Sequence, residues 1–89
     1  MIYWNDNGFE EIAFMAAIGG NRDILYEMVD GIGVDNLELI IYGAAISRHK
    51  DIIDDMISRG GDNFDIVVFW AYQSQKYDII EYLKENNYH

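Results

Sequence analysis

An all-α fold, six helices paired into three antiparallel hairpins stacked in a row, is the architecture this sequence predicts. Three observations lead there. One unit occurs three times, opening at Asn7-Gly8-Phe9-Glu10, Asp35-Asn36-Leu37-Glu38 and Asp62-Asn63-Phe64-Asp65. Within each unit the apolar residues recur at helical spacing, and proline, the commonest helix breaker, is absent. The period is 28 residues and then 27, which divides a single domain into units of about 7–34, 35–61 and 62–89. Self-similarity at fixed spacing marks an array in which each unit buries its face against its neighbours.

The central unit is the cleanest. Asp35 followed by Glu38 reads as a capping box, Asp35 accepting from the third helical N–H and Glu38 reaching back. From Leu37 to Ile46 nearly every side chain is apolar, so this helix is expected to be buried on most of its circumference. Gly43, Ala44 and Ala45 are small and permit close approach, and Ser47-Arg48-His49-Lys50 is the turn. Asp51 then opens a second helix with Ile52, Ile53, Met56 and Ile57 on one face and Asp54, Asp55 and Ser58 on the wet side. Arg59 complements the helix dipole near the end, and Gly60-Gly61 supplies the left-handed stop.

The first unit runs from Phe9 to Gly19, with small Ala16-Ala17 near its end, and turns at Gly20-Asn21-Arg22. It continues from Asp23 through Ile24, Leu25, Met28 and Val29 to Gly31 and Gly33. The third runs from Phe64 to about Ser74, turns at Gln75-Lys76-Tyr77, and continues from Asp78 through Ile79, Ile80 and Leu83 toward Asn86-Asn87. Asp65-Ile66-Val67-Val68-Phe69-Trp70 holds β-prone residues, but its aligned copies carry Ala, Met and Leu at helical spacing. The repeat therefore overrides local propensity and predicts helix.

Eighty-nine residues are near the lower limit for a self-sufficient core. Sixteen acidic residues against six basic ones give a formal charge of −10, which disfavours nucleic-acid backbones and anionic membranes and favours a basic partner. Cysteine is absent, so disulfides and thiolate metal sites are excluded. No apolar run approaches a membrane span, and the opening Met1-Ile2-Tyr3-Trp4-Asn5-Asp6 lacks the basic start of a secretory signal. The expected setting is intracellular.

The second unit, with Ala44-Ala45, His49, Ile52-Ile53, Met56-Ile57 and Gly60-Gly61-Asp62, resembles the ankyrin repeat. Arg48 stands where that consensus has glycine. The first unit matches through Ala16-Ala17, Gly20, Ile24-Leu25 and Met28-Val29, and the third through Ala71, Ile79-Ile80 and Leu83. The resemblance covers about residues 8–87. Two features depart from it. The Thr-Pro-Leu-His opening is missing, its nearest counterparts being Leu39 to Tyr42 and Ile66 to Phe69, and the period falls short of about 33 residues. The deficit lies where ankyrin repeats place a β-hairpin finger, so the units are similar to the fingerless, degenerate repeats of large DNA-virus proteins. The resemblance implies a structural role for His49, protein binding and no cofactor.

Ser47, His49 and Asp51 lie close in sequence, but a catalytic triad needs separate, rigid placements, and the turn position accounts for His49. Asp51, Asp54 and Asp55 lack the alternating spacing of a calcium loop and read as a solvated face. Glu10, Glu38 and Asp65 form a column of carboxylates, read either as helix-start capping groups or as an acidic stripe for a basic partner. The resemblance adds Ile18, Ile46, Ser47, Gln73 and Ser74 as partner-facing positions. Trp4, Trp70 and Tyr72 crowd the terminal units and mark the expected contact of a homodimer.

The reading is a non-catalytic protein-interaction module, with an acidic mimic of nucleic acid, filling a basic groove, as the rival. Its register carries a direct test. Ala45→Leu is expected to overpack a helix contact and lower stability by about 1–3 kcal/mol in chemical denaturation. A variant as stable as the parent would mean that the register is misplaced.

Overall fold

The computed structural model of the chain describes residues 8–88. Among them there are six helices and no strand: α1 (Gly8–Gly19), α2 (Arg22–Tyr26), α3 (Leu37–Ile46), α4 (Lys50–Ser58), α5 (Phe64–Gln73) and α6 (Tyr77–Glu85). The β-prone run Asp65 to Trp70 is helical, as the repeat requires. α1 packs on α2, α3 on α4 and α5 on α6, while α3 contacts both α1 and α5.

The turns repeat more faithfully than the side chains. After α1, α3 and α5 the chain enters the left-handed region at Gly20 (φ 69°), Arg48 (φ 59°) and Gln75 (φ 58°). Each turn closes with the same two bonds: Asn21 N–H to Ala16 and Gly20 N–H to Ala17, then His49 to Ala44 with Arg48 to Ala45, then Lys76 to Ala71 with Gln75 to Tyr72. This is the pattern by which a left-handed residue satisfies the last free carbonyls of a helix. The second helices also end on a left-handed residue, at Gly33, Gly60 and Asn87, and the last two close with the same pair of bonds.

The step from a period of 28 to 27 has a structural cause. Gly33, Gly60 and Asn87 are evenly spaced, whereas Gly20 to Gly33 holds one residue more than Arg48 to Gly60 or Gln75 to Asn87. That residue lies where α2 widens into a π-helical segment, Glu27–Ile32, after which both Gly33 and Val34 donate to the Met28 carbonyl. An extra residue in a regular helix would turn everything beyond it by about 100°. A π-turn absorbs it and keeps the rest in phase.

Gly43 and Ala17 meet at the seam between α1 and α3, and other small residues of the two helices are buried as well. Ala13, Ala17, Ala44 and Ala45 are fully buried. At Gly43 a β-carbon would come within 2.8 Å of the Phe14 carbonyl oxygen and 3.0 Å of its ring. Around this seam close Leu25, Ile40, Ile41, Ile52, Ile53, Met56, Val67, Ile79 and Leu83, all without significant exposure.

The helix starts correct the sequence reading. Asn36, not Asp35, caps α3, its Oδ1 accepting from Leu39 N–H at 3.4 Å, and Glu38 does not close a capping box. Asn63 caps α5 and Asn21 caps α2 in the same geometry. α4 begins at Lys50, one residue before Asp51, and Asp51 accepts instead from Ile52 N–H at 2.9 Å. Accordingly, Asn36→Ala is expected to lower stability by about 0.5–2 kcal/mol. Asp35→Ala should leave the urea midpoint nearly unchanged. The reverse order would restore Asp35 as the cap.

Candidate functional site

Two of the three predicted carboxylates are used between units. Glu10 Oε1 accepts from the Asn36 side-chain amide at 3.5 Å, and Glu38 Oε2 accepts from Asn63 N–H at 3.3 Å. Each therefore holds the helix start of the following unit instead of capping its own helix. Asp65, the third member of the column, is exposed and has no such bond among the described residues. At Asn36 the asparagine makes this possible, since its carbonyl oxygen caps the helix while its amide nitrogen still has protons to donate.

The other predicted contact residues separate from these. Ile18, Ile46, Ser47, Gln73 and Ser74 lie at the far ends of α1, α3 and α5, about 12 Å along the helix from the carboxylates. Ile18 and Ile46 are half-buried, whereas Ser47, Gln73 and Ser74 are exposed. Ser74 accepts a hydrogen bond from the Tyr42 hydroxyl at 3.2 Å. The eight residues form two sets at opposite helix ends, not one compact patch.

The aromatics also divide. Phe14 stacks on Tyr42 at 5.9 Å, and Trp70 tilts onto Tyr42 at 5.8 Å. Trp70 is thus half-buried against the preceding unit, which leaves Tyr72 as the freer of the two. Trp4 lies outside the described residues. Large apolar side chains reach solvent on the two terminal units: Phe9, Ile12, Met15 (62% exposed), Ile24 and Ile32 on the first, Phe69, Tyr72 (61%) and Tyr77 on the third. In the middle unit the corresponding Ile40, Tyr42, Ala45 and Ile52 are buried. Sequence reasoning singled out Tyr72 but missed Phe9, Ile12 and Met15, although their match to buried positions of the later units was a visible signal.

Charged side chains link the second helices. Arg22 pairs with Asp51, Arg48 with Asp78 at 3.5 Å, and Arg59 with Asp30 at 2.5 Å. All three arginines therefore bridge consecutive units. Arg59 also pairs with Asp55 at 3.3 Å, and Lys50 with Asp54 at 3.7 Å. Exposed pairs of this kind contribute about 0–1 kcal/mol each and act more on register than on stability. Ser47, His49 and Asp51 are not assembled into a relay: the Asp51 carboxylate is on Arg22, and the His49 ring lies against Gly20. Among the described residues no three His, Asp or Glu side chains converge at metal-binding distance, and no helix is long and apolar enough to cross a membrane. No protein-family model, curated protein or solved structure matches the chain.

Tyr88 anchors the end of the third unit. It stacks on Phe64 at 5.6 Å, donates from its hydroxyl to Asp54 at 2.5 Å, and accepts from Lys50 at 3.1 Å. Burial pushes its pKa above the ordinary value, and the bond to Asp54 adds to the effect. Tyr26 is raised as well, chiefly by Asp55 beside its hydroxyl. A phenol held protonated in the folded chain loses its proton first in the unfolded one. Its stabilisation is thus complete below about pH 10 and falls as pH climbs through the folded value. Urea denaturation across pH 8–11 should show stability falling above pH 10, with a shallower fall in Tyr88→Phe. An identical pH dependence in the two proteins would contradict this role.

Proposed function

We propose that this chain is a short, non-catalytic, intracellular protein-interaction module of ankyrin-like build without fingers, binding a protein partner that carries a basic surface. The observation that carries the reading is the exposure of Ile12, Met15, Phe69 and Tyr72 on the terminal units, at positions whose counterparts in the middle unit are buried. Exposed apolar groups of this size, rimmed by charge, mark contact surfaces. The polar groups nearest to a catalytic pattern are engaged elsewhere, Asp51 on Arg22 and His49 against Gly20. The ankyrin-like reading draws on the repeated left-handed turns and on the contacts of α3 with both α1 and α5.

A second reading, an acidic mimic of nucleic acid, rests on the charge of −10. It is weakened because Asp30, Asp51, Asp54, Asp55 and Asp78 are paired with the chain's own cations. Cross-linking in the native host followed by purification of the captured protein provides the test. Direct binding should persist at high salt and weaken about tenfold or more in either Ile12→Ser/Met15→Ser or Phe69→Ser/Tyr72→Ser. Binding that collapses with salt and is displaced by DNA would favour the mimic. A captured protein indifferent to both double variants would defeat the apolar-contact reading.

A further inference from the structure

Three of the chain's six basic residues share one arrangement. Arg48 lies 5.2 Å over the Tyr82 ring and pairs with Asp78, four residues before Tyr82 on α6. Lys50 lies 5.0 Å over Tyr88 and pairs with Asp54. Arg59 lies 5.2 Å over Tyr26 and pairs with Asp55 and Asp30. In each case the negative face of a tyrosine ring and a carboxylate share one cation.

α6 carries a second tyrosine and carboxylate spaced as Asp78 and Tyr82 are. Tyr77 and Glu81 are also four residues apart and so share a face of the helix. Tyr77 is 55% exposed, and Tyr72 meets it edge-on at 5.8 Å, which props the ring from the α5 side. An open hollow of about 640 Å³ lies here, lined by Tyr77, Asp78, Ile80, Glu81, Lys84 and Glu85. Among the described residues no cation of the chain lies over the Tyr77 ring or pairs with Glu81.

We propose that Tyr77 and Glu81 form a docking site for an arginine side chain of a partner protein. This rests on the interaction reading above and names the chemistry of the contact. Charge selects the occupant. A second copy would bring another −10, and its arginines are already engaged with Asp51, Asp78 and Asp30. Arginine fits better than lysine, because a planar guanidinium stacks on a ring while still donating in its own plane to Glu81 and Glu85. Ile80 offers apolar surface to the aliphatic stem. Lys84, in the same hollow, opposes any incoming cation.

The probe is a blocked peptide of alternating arginine and leucine, titrated into the whole chain at physiological salt by calorimetry and by amide chemical shifts. Tyr77→Ala is expected to weaken binding about threefold to thirtyfold, and Glu81→Gln about threefold. Replacing arginine by lysine in the peptide should weaken it further, whereas Lys84→Gln should strengthen it. Circular dichroism checks that these exposed substitutions leave the helices intact. Asp35→Asn, which removes one charge elsewhere, should leave affinity unchanged. The proposal falls if the peptide does not bind, if Tyr77→Ala binds it equally well, or if Asp35→Asn weakens it as much as Glu81→Gln, which would mean diffuse attraction. It falls equally if Tyr72 and Tyr77 shift with the chain's own concentration, because a second copy would then occupy the face. Peptide failure alongside a captured partner sensitive to Ile12→Ser/Met15→Ser would overturn this site and leave the interaction reading standing.

Discussion

The close approach of α3 to α1 is the constraint on which the rest of the structure depends. Gly43 has no side chain because the Phe14 carbonyl occupies its place, and Ala17 keeps the seam narrow beside it. Only at this spacing does Phe14 stack on Tyr42, and only then does a carboxylate as short as Glu10 reach the amide of Asn36. A larger residue at the seam would therefore cost more than its own volume, since it would also draw apart the polar ties that depend on it.

Polar ties between consecutive units reinforce that seam. Glu10 and Glu38 hold the next helix start, and Arg22, Arg48 and Arg59 join second helices of consecutive units. Individually they are weak, being exposed to water and salt. Collectively they join each unit to the next. The chain's own cations are largely committed in this way, so the residual charge is strongly negative.

The first and third units depart from the pattern of the middle one. Tyr72 stands in the column of Ala17 and Ala45, and Ile32 in that of Arg59. A tyrosine in place of a seam alanine would overpack a further unit joined in the same geometry. Tyr77 occupies the position of Arg22, so the cation that would tie to a next unit is missing there as well. The third unit therefore departs from the seam geometry that the first two share.

The sequence by itself determined the helical class, the repeat and its small-residue seam, and the stop at Gly60. Each of these follows from a local rule: spacing around a helix, side-chain size, or the freedom of glycine at positive φ. It also showed that one unit is a residue longer. It could not show that Glu27–Ile32 absorbs the excess as a π-turn, since any point between Asp23 and Gly33 satisfies the same count. The candidate site was less legible. Asp35 and Asn36 are both good caps in isolation, and the start of α3 at Leu37 puts the Asn36 side chain on the Leu39 N–H, while its amide meets Glu10, 26 residues away. Tyr77 with Glu81 gave no local signal of its own. What set it apart was that the similar pairs already hold Arg48, Lys50 and Arg59, and which cation meets which ring is decided by contacts across units. Partners distant in sequence are chosen by packing, and packing exists only in the tertiary structure.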